Sequence, residues 1–232
     1  KLYFDVAVLG DPRARRTFVV GCGTHGIEGF SGSAAQTAWM LEAGSRVSAQ
    51  TAVVFFHAHN PWGFAHRQRV TEDNVDLNRN WIDFSQTLPQ NEEYDALAEA
   101  LCPSEWSEQS RAQTLAMLQT YIQGQGMQKF AQVVSGGQYK HEKGIFFGGT
   151  APTSSRLTLT SIVNERLRNA KHVAFIDYHS GLGSSGFAEQ ITSAGAGSAA
   201  YERTRNWYGA AVTSIGTQGE EFAKVGGDWL SA

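Results

Sequence analysis

The stretch GCGTHGIEGF, residues 21 to 30, places His25 and Glu28 three positions apart among glycines at 21, 23, 26 and 29. An imidazole and a carboxylate on a turn entering a helix can converge on one ion, and glycine backbone permits the tight bend. A third residue of this kind, His179, closes the apolar run HVAFIDYH, 172 to 179. Two imidazoles and one carboxylate leave a fourth tetrahedral position open for water, the arrangement of a catalytic zinc site. A plainer reading stands beside it. Glu28 in a helix's first turn complements the helix dipole, and His179 is a core histidine bonded to Asp177.

Other residues compete for the same chemistry. His57 and His59 are two apart on a strand-like run, so they share a face and could bind metal, or they simply mark a partly exposed strand end. In EDNVDLNRNW, Asn74, Asp76, Asn78 and Asn80 alternate like a calcium loop, but Arg79 and Ser85 stand where glycine and glutamate are required. Arg67 and Arg69 lie just upstream, and guanidinium groups match carboxylates bidentately. FSGSA does not satisfy G-x-S-x-G, because Ser33 takes the last glycine's place. Ser31 and Ser33 read as helix N-terminal residues. Cys22, inside an apolar strand, reads as a small core residue.

These residues need elements to hold them. LYFDVAVL (2 to 9) and TFVVGCG (17 to 23) read as strands separated by the turn signal DPRAR. SGSAAQTAWMLEAG (31 to 44) reads as a helix with a glycine stop, and TAVVFFHAH (51 to 59) as a strand ended by Asn60-Pro61. The 90 to 130 stretch is polar and helical, with Leu97, Leu101, Leu115, Leu118 and Ile122 as its apolar stripe. A glycine-bounded loop (136 to 149), a helix (154 to 170), a buried strand (172 to 179) and a last helix (201 to 215) follow. The alternation predicts an α/β fold: three layers, with a mixed, mostly parallel central sheet flanked by helices. Ligands in such sheets collect beyond the carboxyl ends of the strands. Residues 1 to 232 read as one domain with 90 to 150 as an insertion within it. Because the chain opens on Lys1 and already reads as a strand, it is expected to be trimmed at both ends.

Composition narrows the partners. A formal net charge of -3 and a pI near 6.2 point away from nucleic acid, whose binders show a basic face. No apolar run approaches the ~18 residues of a membrane span. Two cysteines make no disulfide framework, which leads to a reducing, cytoplasmic location as the expectation.

GTHGIEGF, NPWGF, DLNRNW and DYHSGLG occur in the order found in the zinc carboxypeptidase superfamily, which includes the aspartoacylase and succinylglutamate desuccinylase-like deacylases. The longer phrases GTHGIEGFSGS, EDNVDLNRNW, SGGQY and HSGLG resemble a little-characterised bacterial and fungal branch, catalogued as a domain of unknown function. That resemblance covers most of the chain. It implies a carboxypeptidase-like fold and a single zinc ion held by His25, Glu28 and His179. Arg69 is then the arginine that polarises the scissile carbonyl, with Arg67 as the alternative. Asn78 and Arg79 match the pair that holds a substrate carboxylate. The implied activity is hydrolysis of an amide bond next to a free carboxylate, in a small peptide or an N-acyl amino acid. One part of the pattern is missing. The general-base glutamate belongs to an EFGT-like phrase on a late strand, and the chain stops at GGDWLSA without it. Glu189 and Glu221 are the candidates within the chain. Without a general base, the chain reads as a non-catalytic, zinc-dependent binding module.

Overall fold

Runs of β-branched and aromatic residues form strands here because alternate side chains can be buried on opposite faces of a sheet. A computed structural model describes residues 1–43, 46–181, 184–214 and 227–230. Strands β1 (Asp5–Gly10) and β2 (Arg16–Cys22) flank the DPRAR turn, and α1 (Gly29–Ala43) follows the glycine-rich stretch. β3 (Thr51–His57) leads into the short helix α2 (Pro61–His66). Helices α3 (Glu92–Leu101), α4 (Glu108–Gln125) and α5 (Met127–Ser135) come next. They precede α6 (Ser154–Leu167) and β4 (His172–Tyr178). β5 (Ile191–Thr192), α7 (Ala199–Tyr208) and β6 (Thr213–Ser214) complete the described elements.

The main sheet has the order β1-β3-β2-β4. β2 runs parallel to both β3 and β4, while β1 is antiparallel to β3 at the edge. The protein is therefore α/β, with a mixed four-stranded sheet flanked by helices. Period-2 alternation divides its core. Val19, Val54 and Phe56 face α6 and pack with Leu159, Ile162 and Val163. Val20, Val53 and Phe55 face the other way, against Trp39 of α1. Cys22 and Tyr178 are register partners at the carboxyl ends of adjacent strands. The chain leaving β2 therefore arrives beside the chain leaving β4, as the crevice rule for parallel sheets requires.

Several expected elements are changed. The helix read over 201 to 215 ends at Tyr208, because Gly209 takes a φ of +105°, and Thr213–Ser214 pairs with Ile191–Thr192 as a two-stranded ribbon. The 90 to 130 stretch is three helices whose small core is Tyr94, Leu97 and Val133, with Leu101 and Leu118 packed against it. Leu115 does not join that stripe and is 57% exposed, since α4 touches its neighbours along one narrow edge. α2 arises where only a strand end was expected. Asn60 accepts a hydrogen bond from Gly63 N as its N-cap, and Pro61 occupies the first turn, where no backbone donor is needed. No helix among the described residues is long and apolar enough to cross a membrane.

Leu159 is the most deeply buried α6 residue against the sheet. Leu159→Ala should cost about 2–5 kcal/mol of stability through lost burial and the cavity left behind, read as a lowered urea midpoint. A change under about 1 kcal/mol would mean that α6 does not close that face.

Candidate metal centre

The turn after β2 reaches the site through two glycines. Gly23 has a φ of +75° and so bends the chain out of the strand. Gly26 lies so close to α2 that a Cβ there would stand 2.0 Å from the carbonyl carbon of Gly63. A 3-10 turn, Gly26–Glu28, follows and runs into α1. The backbone N–H groups of Gly26 and Ile27 donate to the carbonyls of Arg69 and Gln68, which docks the Arg69 segment against this turn.

Three side chains converge there: ligand atoms of His25, Glu28 and His179 all lie within 4.8 Å of one another. Glu28 is the hub. Its Oε1 is 3.0 Å from His25 Nδ1 and 3.1 Å from Arg69 Nη1, and its Oε2 is 3.1 Å from His179 Nδ1 and 3.0 Å from Ser180 N. Burial works against its charge, but the hydrogen bonds from His179 and His25 win and hold its pKa well below the usual carboxylate range.

Each imidazole is backed by a second carboxylate. His25 Nε2 is 3.3 Å from Asp76 Oδ1, and His179 Nε2 is 2.7 Å from Asp177 Oδ2. Both aspartates are almost wholly buried, and burial alone would raise their pKa values. His25 and Arg69 offset that for Asp76, and His179 does so for Asp177, so both are held far below the ordinary range. The same pairing acts on His179 in reverse. Burial would lower its pKa, but Asp177 and Glu28 push it up to about 10.

Two imidazoles and a carboxylate are residue types that bind zinc. Both rings turn Nδ1 toward the same carboxylate and give Nε2 to a buried aspartate, the orientation that outer carboxylates impose on metal-binding imidazoles. A tetrahedron with arms of ~2.1 Å has edges of ~3.4 Å. The two nitrogen–oxygen separations, 3.0 Å to Oε1 and 3.1 Å to Oε2, run to different oxygens of Glu28, and one ligand atom from each of the three residues lies within 4.8 Å of the others.

The remaining sequence candidates are placed less uniformly. Arg69 has a side chain 39% exposed and bridges Glu28 and Asp76, with Nε 3.0 Å from Asp76 Oδ2. Arg79 is only 3% exposed. Its guanidinium is turned inward, donating to the carbonyl oxygens of Ser135 and Asn78 and lying 3.9 Å from Asp76. The Phe146 ring is stacked by both guanidinium groups, at 5.2 Å from Arg69 and 5.3 Å from Arg79. Asn78 donates its backbone N–H to Asp76. Arg67 is exposed and caps α2 in the left-handed region, with a φ of 54°. The backbone is thus not extended there, and Arg67 does not share a strand-like face with Arg69. Glu189 accepts a hydrogen bond from Thr213 beside the small ribbon, and Glu221 lies outside the described residues.

His57 and His59 part company. His57 bonds the Ser33 hydroxyl, while His59 is buried with Nδ1 2.7 Å from Thr24 Oγ1. Cys22 is fully buried, and burial pushes its thiol pKa up to about 12. Sequence reasoning missed Asp76 as a partner of His25, although an aspartate between Val75 and Leu77 carries the mark of a buried carboxylate. The alternating asparagines are fasteners. Asn74 donates to the carbonyls of Glu142 and Gly144, and Asn80 donates to those of Gly148 and Ala151.

An α/β sheet with a His–Glu–His cluster past its carboxyl edge, each imidazole carboxylate-backed, defines the class. The family model described as "Protein of unknown function (DUF2817)" matches residues 1–232, and the chain belongs to that family. A comparison with curated proteins finds no match.

The burial difference between the two arginines separates their roles. Arg79→Leu should destabilise the fold by about 1–3 kcal/mol, because the Ser135 carbonyl and Asp76 lose a buried donor. Arg69→Leu should cost clearly less in the same thermal or urea unfolding experiment. Equal losses would mean that both guanidinium groups are structural.

Proposed function

We propose that this chain is a zinc-dependent hydrolase of amide bonds next to a free carboxylate, of the carboxypeptidase or N-acyl amino acid deacylase type, within the zinc carboxypeptidase superfamily. The observation that carries this reading is the convergence of His25, Glu28 and His179 with both Nε2 atoms already held by buried aspartates. Zinc on these three residues would act as a Lewis acid and lower the pKa of a water toward ~7.

The chain's own groups do the rest. Asp76 and Asp177 keep the two imidazoles oriented. Arg69, exposed beside Glu28, presents donors to the oxygen that becomes negative during amide cleavage, a contribution of about 3–4 kcal/mol for one such donor. Between Arg69 and Arg79, Arg69 is the better placed to meet a substrate carboxylate, because its side chain is 39% exposed while Arg79 donates inward. Asn78, beside Arg79, is the other residue assigned to the substrate carboxylate; its side-chain oxygen is buried and has no hydrogen-bond partner among the described residues.

A second reading is a zinc-dependent binding module without turnover. Among the described residues, the carboxylates bonded to the trio are Asp76 and Asp177, and each is engaged by an imidazole. A hydrolase of the proposed type uses a further group, a carboxylate in the pattern this chain resembles, to take a proton from water and pass it to the leaving amine.

Metal analysis joined to a hydrolysis screen of peptides and N-acyl amino acids decides between them. The expected result is one equivalent of zinc, with hydrolysis lost on chelation and restored by zinc. His25→Ala should lose stoichiometric zinc and turnover together. Tight zinc with no hydrolysis across the panel selects the binding module, and hydrolysis indifferent to chelators rejects the zinc reading. Arg69→Met should retain zinc while kcat/KM falls by about 10²–10³-fold; an unchanged rate removes its assigned role.

A further inference from the structure

His59 is a buried imidazole that the proposed chemistry does not use. Its surroundings give it a direction. His59 Nδ1 is 2.7 Å from Thr24 Oγ1, and Thr24 Oγ1 donates to Asp177 Oδ2 at 3.0 Å. The same oxygen accepts from Trp229 Nε1 at 2.9 Å and lies 2.7 Å from His179 Nε2. A carboxylate only accepts, so the single proton of Thr24 is committed to Asp177. The Thr24 oxygen must then accept from His59, and His59 must carry its proton on Nδ1. Burial lowers the His59 pKa to about 4, which keeps the ring neutral. The opposite nitrogen, Nε2, is then an acceptor and has no hydrogen-bond partner among the described residues. The ring is clamped edge-on by Trp229 at 4.7 Å and flanked by Phe56 and Phe4 at 5.9 and 5.5 Å. Gly21 leaves room for the arrangement, since a Cβ there would come within 3.0 Å of both His59 Nε2 and Asp177 Oδ1.

We propose that His59 is a positioning residue for His179, acting through Thr24 and Asp177 to hold the Nδ1 atom of His179 toward Glu28. The order of donation is His59 Nδ1–H to Thr24 Oγ1, then Thr24 Oγ1–H to Asp177 Oδ2, which also takes His179 Nε2–H. Asp177 is thereby kept from rotating, with its second oxygen unpartnered among the described residues. The consequence for zinc rests on the metal reading above, but the orientation of His179 does not.

The test uses two measurements on the whole chain. Long-range 1H–15N spectra of the metal-free protein should show His59 as the neutral Nδ1–H tautomer. Thr24→Val, nearly isosteric, and His59→Leu should both shift the His179 ring resonances, while Thr24→Ser restores them. Zinc competition titrations should show affinity about 10–100-fold weaker in Thr24→Val and within about threefold of the parent in Thr24→Ser. A His59 Nε2–H tautomer in the parent protein overturns the proposal with no variant needed. Folded variants with unchanged His179 resonances and unchanged zinc affinity overturn it as well. If the parent binds no zinc while the variants still shift His179, the metal reading falls and the positioning role stands.

Discussion

A largely buried carboxylate that must find donors, the Glu28 side chain at 12% exposure, organises this protein. Glu28 accepts from His25, Arg69, His179 and the Ser180 backbone, which come from the turn after β2, the segment after α2 and the end of β4. A carboxylate taken out of water without partners is heavily penalised. These segments are therefore held at one point by a single charge. The parallel pairing of β2 with β4 brings the chain ends close, and the charge completes the alignment.

Around that centre, the polar groups are nested. Asp76 reaches His25 and Arg69, and its backbone N–H donates to the Phe147 carbonyl. Asn74 and Asn80 bind carbonyls of the 142–151 loop on either side of it. Tyr139 donates to the Arg79 carbonyl at 2.6 Å, so the loop is fastened to the DLNRN segment at several points. A loop held in this way can carry Phe146 at a φ of 56° between two arginines. The arrangement resembles a built site in which outer hydrogen bonds orient the inner groups.

Much of this was legible in the residues. Short β-branched and aromatic runs marked the four strands of the main sheet, and their approximate ends followed from glycine, proline and asparagine signals. His25, Glu28 and His179 were identifiable because each stands just past an apolar strand. Their partners were harder to see. Nothing in the spacing of Thr24, His59 and Asp177 shows that they share one hydrogen-bonded chain, because they come from three strand ends that are distant in sequence. Arg79 and Arg69 look alike in a linear reading, and only burial distinguishes an inward structural guanidinium from an exposed one. The last helix was overextended because Ala210, Ala211 and Val212 continue an apolar run past Gly209.

Local chemistry, then, was decided by the sequence itself: which runs become strands, where α1 begins, and which residue types can bind a cation. Those properties depend on side-chain shape, backbone freedom and spacing within a few residues. The tertiary structure alone decided which nitrogen of each imidazole faces Glu28, which arginine is buried and which carboxylates stand behind the ligands. Each of those outcomes depends on contacts between segments up to 153 residues apart, and on the removal of charge from water that only the packed fold imposes.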